Sequence, residues 1–293
     1  MFAQQLVNAI SLGAVYALFA LGFTLIFGVL NVVNLAHGAI FMVGAYAALQ
    51  AVLILELPLL AALLWAMAVT ALAGWLLDKL IFSPLRARRA PHLAPMIATI
   101  GLAIAVNSAI QGWFGAENLR FPTATLPARV LTFGAIQITQ LEIQIIVMAL
   151  ALMSILFWWL HRTHAGRALR GLAESAKAAA LLGVPVERYF RATAVIASML
   201  GGVAGVLIAL YSNAVFPGMG QPMLHKGIAV VILGGMGDIR GALLGGFFLG
   251  CAEVFSVAYI GSTMRDAVAF GLLFAILLVR PQGLFGQAAQ RRA

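Results

Sequence analysis

Glu253 stands inside the apolar run LGCAEVFSVAYI. A carboxylate at bilayer depth is costly and often functional. The position marks either a polar group on a path through the membrane or a residue near the outer water interface. A second group of polar residues lies in NVVNLAHGAIFMVG, where Asn34 and His37 precede a long apolar stretch and Gly38 permits the backbone to turn. A helix beginning near His37 would aim the positive end of its dipole at an anionic group. The alternative is that Asn34 and His37 only cap that helix at an interface. Thr99 and Asn107 are eight apart and share one helix face, where they line a path or hydrogen-bond to a neighbouring helix. His161 and His164 are three apart at a helix end, but no third metal ligand is in view, which favours an interfacial role. Cys251 is the single cysteine, so no intrachain disulfide is possible.

Missing motifs narrow the chemistry further. The three lysines are followed by Leu80, Ala178 and Gly227, so none completes G-x-x-x-x-G-K-[ST]. If ATP drives this protein, another chain binds it. G-x-S-x-G and H-E-x-x-H do not occur either. A membrane-embedded enzyme would need acids, histidines or nucleophiles converging within spans, and Glu253 is the main one. An ion-coupled transporter would more often carry several intramembrane carboxylates.

The elements that must position these residues follow from composition. The chain is 63% hydrophobic and 9% charged, against about a quarter charged in a soluble domain. Several stretches reach about 20 apolar residues, enough for a helix to cross a bilayer. The alternating segments of a β-barrel do not occur. The fold class is all-α, a polytopic transmembrane helical bundle of about 8–9 membrane segments in a single membrane domain, 1–293. The segments fall near 5–27, 36–54, 58–82, 93–115, 141–160, 190–212, 225–235, 242–260 and 266–280. The seventh is too short for a straight crossing and reads as a half-helix or re-entrant piece. The opening MFAQQLVNAISLGAVYALFALG has no basic n-region and reads as a retained first span.

A net charge of +9 raises nucleic acid as a partner, but its distribution argues against that reading. The basic residues cluster between spans, as the positive-inside rule requires of cytoplasmic loops. The clusters are Arg86, Arg88 and Arg89; then Arg162, Arg167, Arg170, Lys177, Arg188 and Arg191; then Arg280, Arg291 and Arg292. The loops 116–140 and 213–223 then lie outside, and the N-terminus does too only if 225–235 is counted as a crossing; otherwise it flips. Segments one to four and six to nine form two groups, 5–115 and 190–280, joined by the span 141–160. An odd connector gives them opposite orientation, as in an inverted-topology repeat. NVVNLAHGAIFMVG and QPMLHKGIAVVILGG occupy matching places, each a Gly-interrupted apolar piece with a His near a Gly. Composition alone could also make two such stretches alike. The glycine pairs Gly201–Gly205, Gly241–Gly245 and Gly246–Gly250 predict close helix packing within the chain.

The cytoplasmic loop 161–189 carries AESAKAAALLG. Alanine and leucine favour a helix of about ten residues. Arg170–Glu174 and Glu174–Lys177 spacings predict charge pairs on one face. Gly183 before Pro185 predicts its stop. So short a helix is marginal alone. It needs a surface: its own membrane domain, or a groove receiving Ala173, Ala176 and Ala180 with Leu181 and Leu182 as an anchor.

The pattern GRALRGLAESAKAAALLGV resembles the cytoplasmic loop of ABC-importer permeases. LGAVYALFALGFTLIFGVLNVVNLAHGAIFMVGAY resembles the opening of branched-chain amino-acid permeases of the LivH type. VVILGGMGDIRGALLGGFFLGCAE is similar to that family's glycine-rich signature, with Gly234, Gly235, Gly237, Gly245 and Gly246 as its structural glycines. The similarity runs from about residue 5 to RPQGLFG. It implies an importer subunit of the bacterial cytoplasmic (inner) membrane, paired with a second homologous permease, two cytoplasmic ATPases that bind the ATP, and a periplasmic binding protein. No cofactor or metal is expected on this chain. Glu174, Lys177, Leu181, Leu182 and Gly183 would be the ATPase-coupling contacts. Asn34, His37, Gly38, Thr99, Asn107 and Glu253 are the candidate substrate-path residues. The wider superfamily also takes urea, short amides and sugars, so the substrate is less specific than the fold. Asp238 and Arg240 depart mildly from the pattern, and a local salt bridge would account for them.

Overall fold

The computed structural model describes residues 2–91, 93–125, 127, 129–133, 136–280 and 282–285. Arg291 and Arg292 lie outside them. In chain order the helices are α1 (Phe2–Leu30), α2 (His37–Leu53), α3 (Leu59–Leu77), α4 (Ser83–Ala87), α5 (Ala94–Phe114), α6 (Gln140–Arg162), α7 (His164–Glu174), α8 (Ala176–Leu181), α9 (Val186–Ser212), α10 (Gly220–Gly234), α11 (Ile239–Tyr259) and α12 (Arg265–Val279). A five-residue π-helical segment, Asp78–Phe82, joins α3 to α4 without a break. A two-stranded antiparallel hairpin, β1 (Val130–Phe133) and β2 (Ile136–Thr139), precedes α6.

Among the described residues, seven helices are long and apolar enough to cross a membrane. The other two predicted segments are α2, with 17 residues, and α10, with 15. At 1.5 Å per residue they reach about 25 and 22 Å, less than a hydrocarbon core of about 30 Å. Neither starts at a surface. The chain leaves α1 at Leu30, turns at Asn31 in the left-handed region (φ 54°), and climbs back inside the bundle. His37, the first residue of α2, lies 3.3 Å from the carbonyl of Phe19, eleven residues before the end of α1. That is about 16 Å of depth. The chain repeats the manoeuvre after α9. Asn213 caps that helix in the left-handed region (φ 45°), and α10 begins seven residues later beside Gly38 of α2. Asparagine tolerates this conformation better than most side chains.

The buried centre is the pair α1 and α9. They pack on each other; α1 packs most extensively on α11, and α9 on α3. Lipid offers no hydrophobic drive between helices, so close van der Waals contact must hold them. Small residues provide it. Gly246 and Gly250 of α11 lie against Ala17 and Gly13 of α1, Gly205 against the Phe41 backbone, and Gly241 against Gly234. The glycine pairs thus pack within the chain. The peripheral helices turn apolar side chains outward: Leu64 and Leu72 on α3, Ile155 and Trp158 on α6, Phe274 and Leu278 on α12. Two hydrogen bonds of 2.8 Å between Gln4 and Gln137 tie the N-terminal end of α1 to the hairpin, so both share one end of the bundle. Thr139 and Glu142 form a capping box that starts α6 from the same end.

Candidate functional site

The first turns of α2 and α10 meet inside the bundle at Gly38 and Gly220. Each glycine faces the other's carbonyl so closely that a Cβ on either would collide with backbone. Between these helix starts and α5 lies a cavity of about 260 Å³. Its walls are mainly apolar: Met42, Ile100, Ala103, Ile104 and Leu224. Polar groups enter from Asn107 on α5 and Gln221 on α10. The Asn107 Oδ1 is buried and has no hydrogen-bond partner among the described residues. A buried acceptor left open is uncommon, and a ligand donor would satisfy it. The cavity is just below the usual small-molecule range of about 300–1,000 Å³, and its lining is of the usual kind, apolar with few polar groups.

The predicted path residues separate. Gly38 and Asn107 line the cavity. Thr99 does not: its hydroxyl accepts from the Leu35 N–H at 3.2 Å and donates to the Met96 carbonyl at 2.8 Å, pinning the chain before α2 onto α5. Asn34 is buried and accepts from the Ala36 N–H at 3.1 Å. That contact closes a turn in the loop before α2 and does not cap the helix, and among the described residues its Nδ2 has no partner. His37 is fully buried among Phe19, Phe23, Gly22 and Gly201, inside the helix crossing and away from the cavity.

Glu253 is fully buried and is paired on all sides. Lys226 Nζ lies 2.7 Å from its Oε1. Arg265 Nε lies 2.6 Å from Oε2, and the Tyr16 hydroxyl donates to Oε2 at 2.8 Å. Asp266 stands 3.5 Å from Lys226, so two acids balance two bases. Glu253 and Arg265 of the cluster line a second cleft together with Gln5, Asn8, Leu12 and Tyr211, and the cluster ties α1, α10, α11 and α12 together. Sequence reading found the acid but not its partners. Lys226 carried a visible signal, a lysine in an apolar stretch; Tyr16 carried none.

At the opposite end, the expected ten-residue helix is two helices. Ser175 ends α7 and its hydroxyl caps α8, accepting from the Ala178 N–H at 3.2 Å. The break separates Glu174 from Lys177, and among the described residues neither predicted charge pair forms, with Arg170 or with Lys177. Serine competes with the helix backbone as a cap, and here that preference wins. Leu172 and Ala179 pack on Phe190 and on the end of α1. The expected small-residue face divides: Ala173 and Ala180 are exposed and Ala176 is half-buried. Leu181 and Leu182 project freely, 89% and 85% exposed. Gly183 ends the segment with φ 82°. Beside it, Arg86 bridges buried Asp78 at 2.8 Å and Glu187 at 2.7 Å, fastening the π-helical end of α3 to the start of α9. Sequence reading counted Arg86 only as loop charge.

Three smaller expectations are corrected or placed. Asp238 and Arg240 form no ion pair among the described residues; Asp238 Oδ1 caps α11, accepting from the N–H groups of Arg240 and Gly241 at 2.7 and 2.9 Å. Gly235 and Gly237, both at positive φ, make the turn before it, and Gly234, Gly245 and Gly246 sit at helix contacts. His161 stacks on Phe157 and His164 bonds Arg167. No group of three metal-binding side chains occurs among the described residues.

Half-helices meeting over a small, mostly apolar cavity within a membrane bundle are the architecture of a solute path, and comparison with known proteins points the same way. Residues 5–277 match the family described as branched-chain amino acid transport system / permease component. The high-affinity branched-chain amino acid transport system permease protein BraD of Pseudomonas aeruginosa is 34% identical over 98% of this chain and 96% of its own length. LivH of Escherichia coli, with the same description, is 31% identical over the same shares. A probable branched-chain amino acid transport permease protein, LivH of Methanocaldococcus jannaschii, is 29% identical over 95% of this chain and 91% of its own length. The match spans both half-helices, the cavity and the exposed leucines Leu181 and Leu182, and the chain therefore belongs to the permease component family of branched-chain amino acid transport systems.

Proposed function

We propose that this chain is the membrane-spanning permease of an ATP-binding-cassette importer in the bacterial inner membrane, carrying branched-chain amino acids by alternating access. The observation that carries this reading is the cavity at the Gly38–Gly220 crossing. Met42, Ile100, Ile104 and Leu224 suit an aliphatic side chain, and the starts of two helices suit a carboxylate. The names of the relatives support the same substrate class.

ATP is bound by two partner ATPases, a second homologous permease completes the membrane unit, and a periplasmic protein delivers the substrate. Leu181 and Leu182, with Glu174, Lys177 and Gly183 around them, form the ATPase-docking contact. Two bare leucines on a water-facing loop favour that role, since an isolated solvent-facing pair contributes little to this chain's own fold. Motion would pass from this contact through Leu172, Ala179 and Phe190 to the ends of α1 and α9. The inverted repeat fits the packing. Exchanging α1 with α9 and α3 with α11 maps the dominant contacts α1–α11 and α9–α3 onto each other. Both central helices end at a left-handed asparagine, followed by a half-helix.

The experiment is purification of the tagged protein in mild detergent, identification of its partners, and reconstitution with them. Leucine, isoleucine and valine are tested for ATP-dependent uptake against urea and short amides. Leucine uptake that requires two ATPases supports the reading. Uptake by the chain alone would replace it with a channel or an ion-coupled transporter.

A further inference from the structure

The half-helix α10 presents a polar edge that its own chain leaves uncovered. Gln221 and His225 are one turn apart and both exposed. Leu224 and Ile228 share that face, half-buried. Among the described residues neither the Gln221 nor the His225 side chain makes a hydrogen bond. The next residue, Lys226, turns the other way, toward Glu253 and Tyr16.

Depth makes this edge informative. Lys226 reaches the hydroxyl of Tyr16, and Gly227 lies on the ring of Phe19. Tyr16 and Phe19 sit in the middle third of α1, so His225 is near mid-depth of the bundle. Lipid cannot hydrogen-bond an imidazole or an amide, so polar side chains at that depth face protein or a water-filled space. The outward positions of α3, α6 and α12 obey this constraint with leucine, isoleucine, tryptophan and phenylalanine. The α10 face breaks it twice in one turn. It also adjoins the cavity, because Gln221 and Leu224 belong to both. Asn107, with its open acceptor, stands on the opposite wall.

We infer that Gln221 and His225 line the substrate path and hold the polar end of the transported amino acid. The aliphatic side chain lies on Ile100 and Ile104 across the cavity. This rests on the function proposed above and adds two residues to it, on the face of the chain that the solute passes. The alternative, an edge buried against a partner or turned to lipid, predicts different reactivity.

The test uses the assembled complex in membrane vesicles, with Cys251→Ser as background. His225→Cys, Gln221→Cys and, as a lipid-facing control, Ile155→Cys are exposed to a charged, membrane-impermeant thiol reagent. The first two should label and Ile155→Cys should not. Leucine raised until nine-tenths of the variant's sites are filled, at a higher concentration than the unsubstituted complex needs, should slow labelling at 225 about tenfold. A His225→Cys complex as inert as the control would overturn the inference, as would labelling that leucine, urea and acetamide all leave unchanged. Leucine uptake by the unsubstituted complex is measured in the same vesicles. Its absence would sink the substrate assignment while leaving the labelling contrast to decide whether this face is water-lined.

Discussion

Removing the charge of Glu253 should cost more than removing either of its cations, and the structure sets the scale. In Glu253→Gln, Arg265 loses its partner but is 41% exposed and can turn to water. Lys226 is only 12% exposed and retains Asp266 as its one acid, at 3.5 Å, beside the Tyr16 hydroxyl at 3.2 Å. Half of the new amide also points a donor at these donors. Breaking a buried ion pair from one side costs about 3–5 kcal/mol. The open position of Arg265 places this case at the lower end, about 3 kcal/mol. Lys226→Met should cost less, about 1 kcal/mol, because Glu253 keeps Arg265 and the Tyr16 hydroxyl. In the double variant no stranded ammonium remains, so its loss should fall below the sum of the single losses by at least about 1 kcal/mol. Thermal unfolding of the four proteins in one detergent reads the cycle. Glu253→Gln should lie roughly 6–12 °C below wild type, at about 2–4 °C per kcal/mol. Additive losses, or a Glu253→Gln variant as stable as Lys226→Met, would refute the view of the cluster as one charge-balanced unit.

Leu182→Arg with Gly183→Arg should abolish recovery of the ATPases in a pull-down while leaving membrane insertion unchanged; normal transport would remove the docking role. Gly220→Leu should cost about 1–3 kcal/mol or more by overpacking against the Gly38 backbone and should lower leucine uptake, whereas Gly112→Leu, in open space on α5, should be neutral by the same unfolding assay. Arg86→Ala should destabilise by about 2–4 kcal/mol because buried Asp78 keeps only Arg191 at 3.4 Å, while Glu187→Gln, at a position 59% exposed, should cost under about 1 kcal/mol.

The spans were readable because a bilayer leaves hydropathy as the dominant local signal. Predicted and observed limits of α5 differ by one residue at each end. The depth at which α2 and α10 begin was not readable. It depends on the Gly38–Gly220 contact, formed by residues distant in sequence. The site divided the same way. Asn107 and Gly38 stood out as a polar group and a glycine in apolar runs, and both reached the cavity. Thr99 and His37 carried the same signal, yet serve packing and loop anchoring, because a membrane interior demands partners for structural polar groups as strictly as for functional ones. Ser175 and Asp238 were misjudged for one reason: a short polar side chain was weighed by charge or propensity when its capping geometry decided the outcome.

The near-complete burial of α1 has a consequence for how the protein is made. α1 leaves the ribosome well before α9 and α11, the helices it packs on most. The hydroxyl of Tyr16 bonds to an acid 237 residues later. At about 5–20 residues per second, synthesis of that interval takes roughly 10–50 s. During this time the glycine-lined grooves of α1 have lipid or the insertion machinery for company, and its tyrosine has no carboxylate. Biogenesis of this bundle therefore depends on holding its eventual centre at the periphery until the C-terminal third arrives.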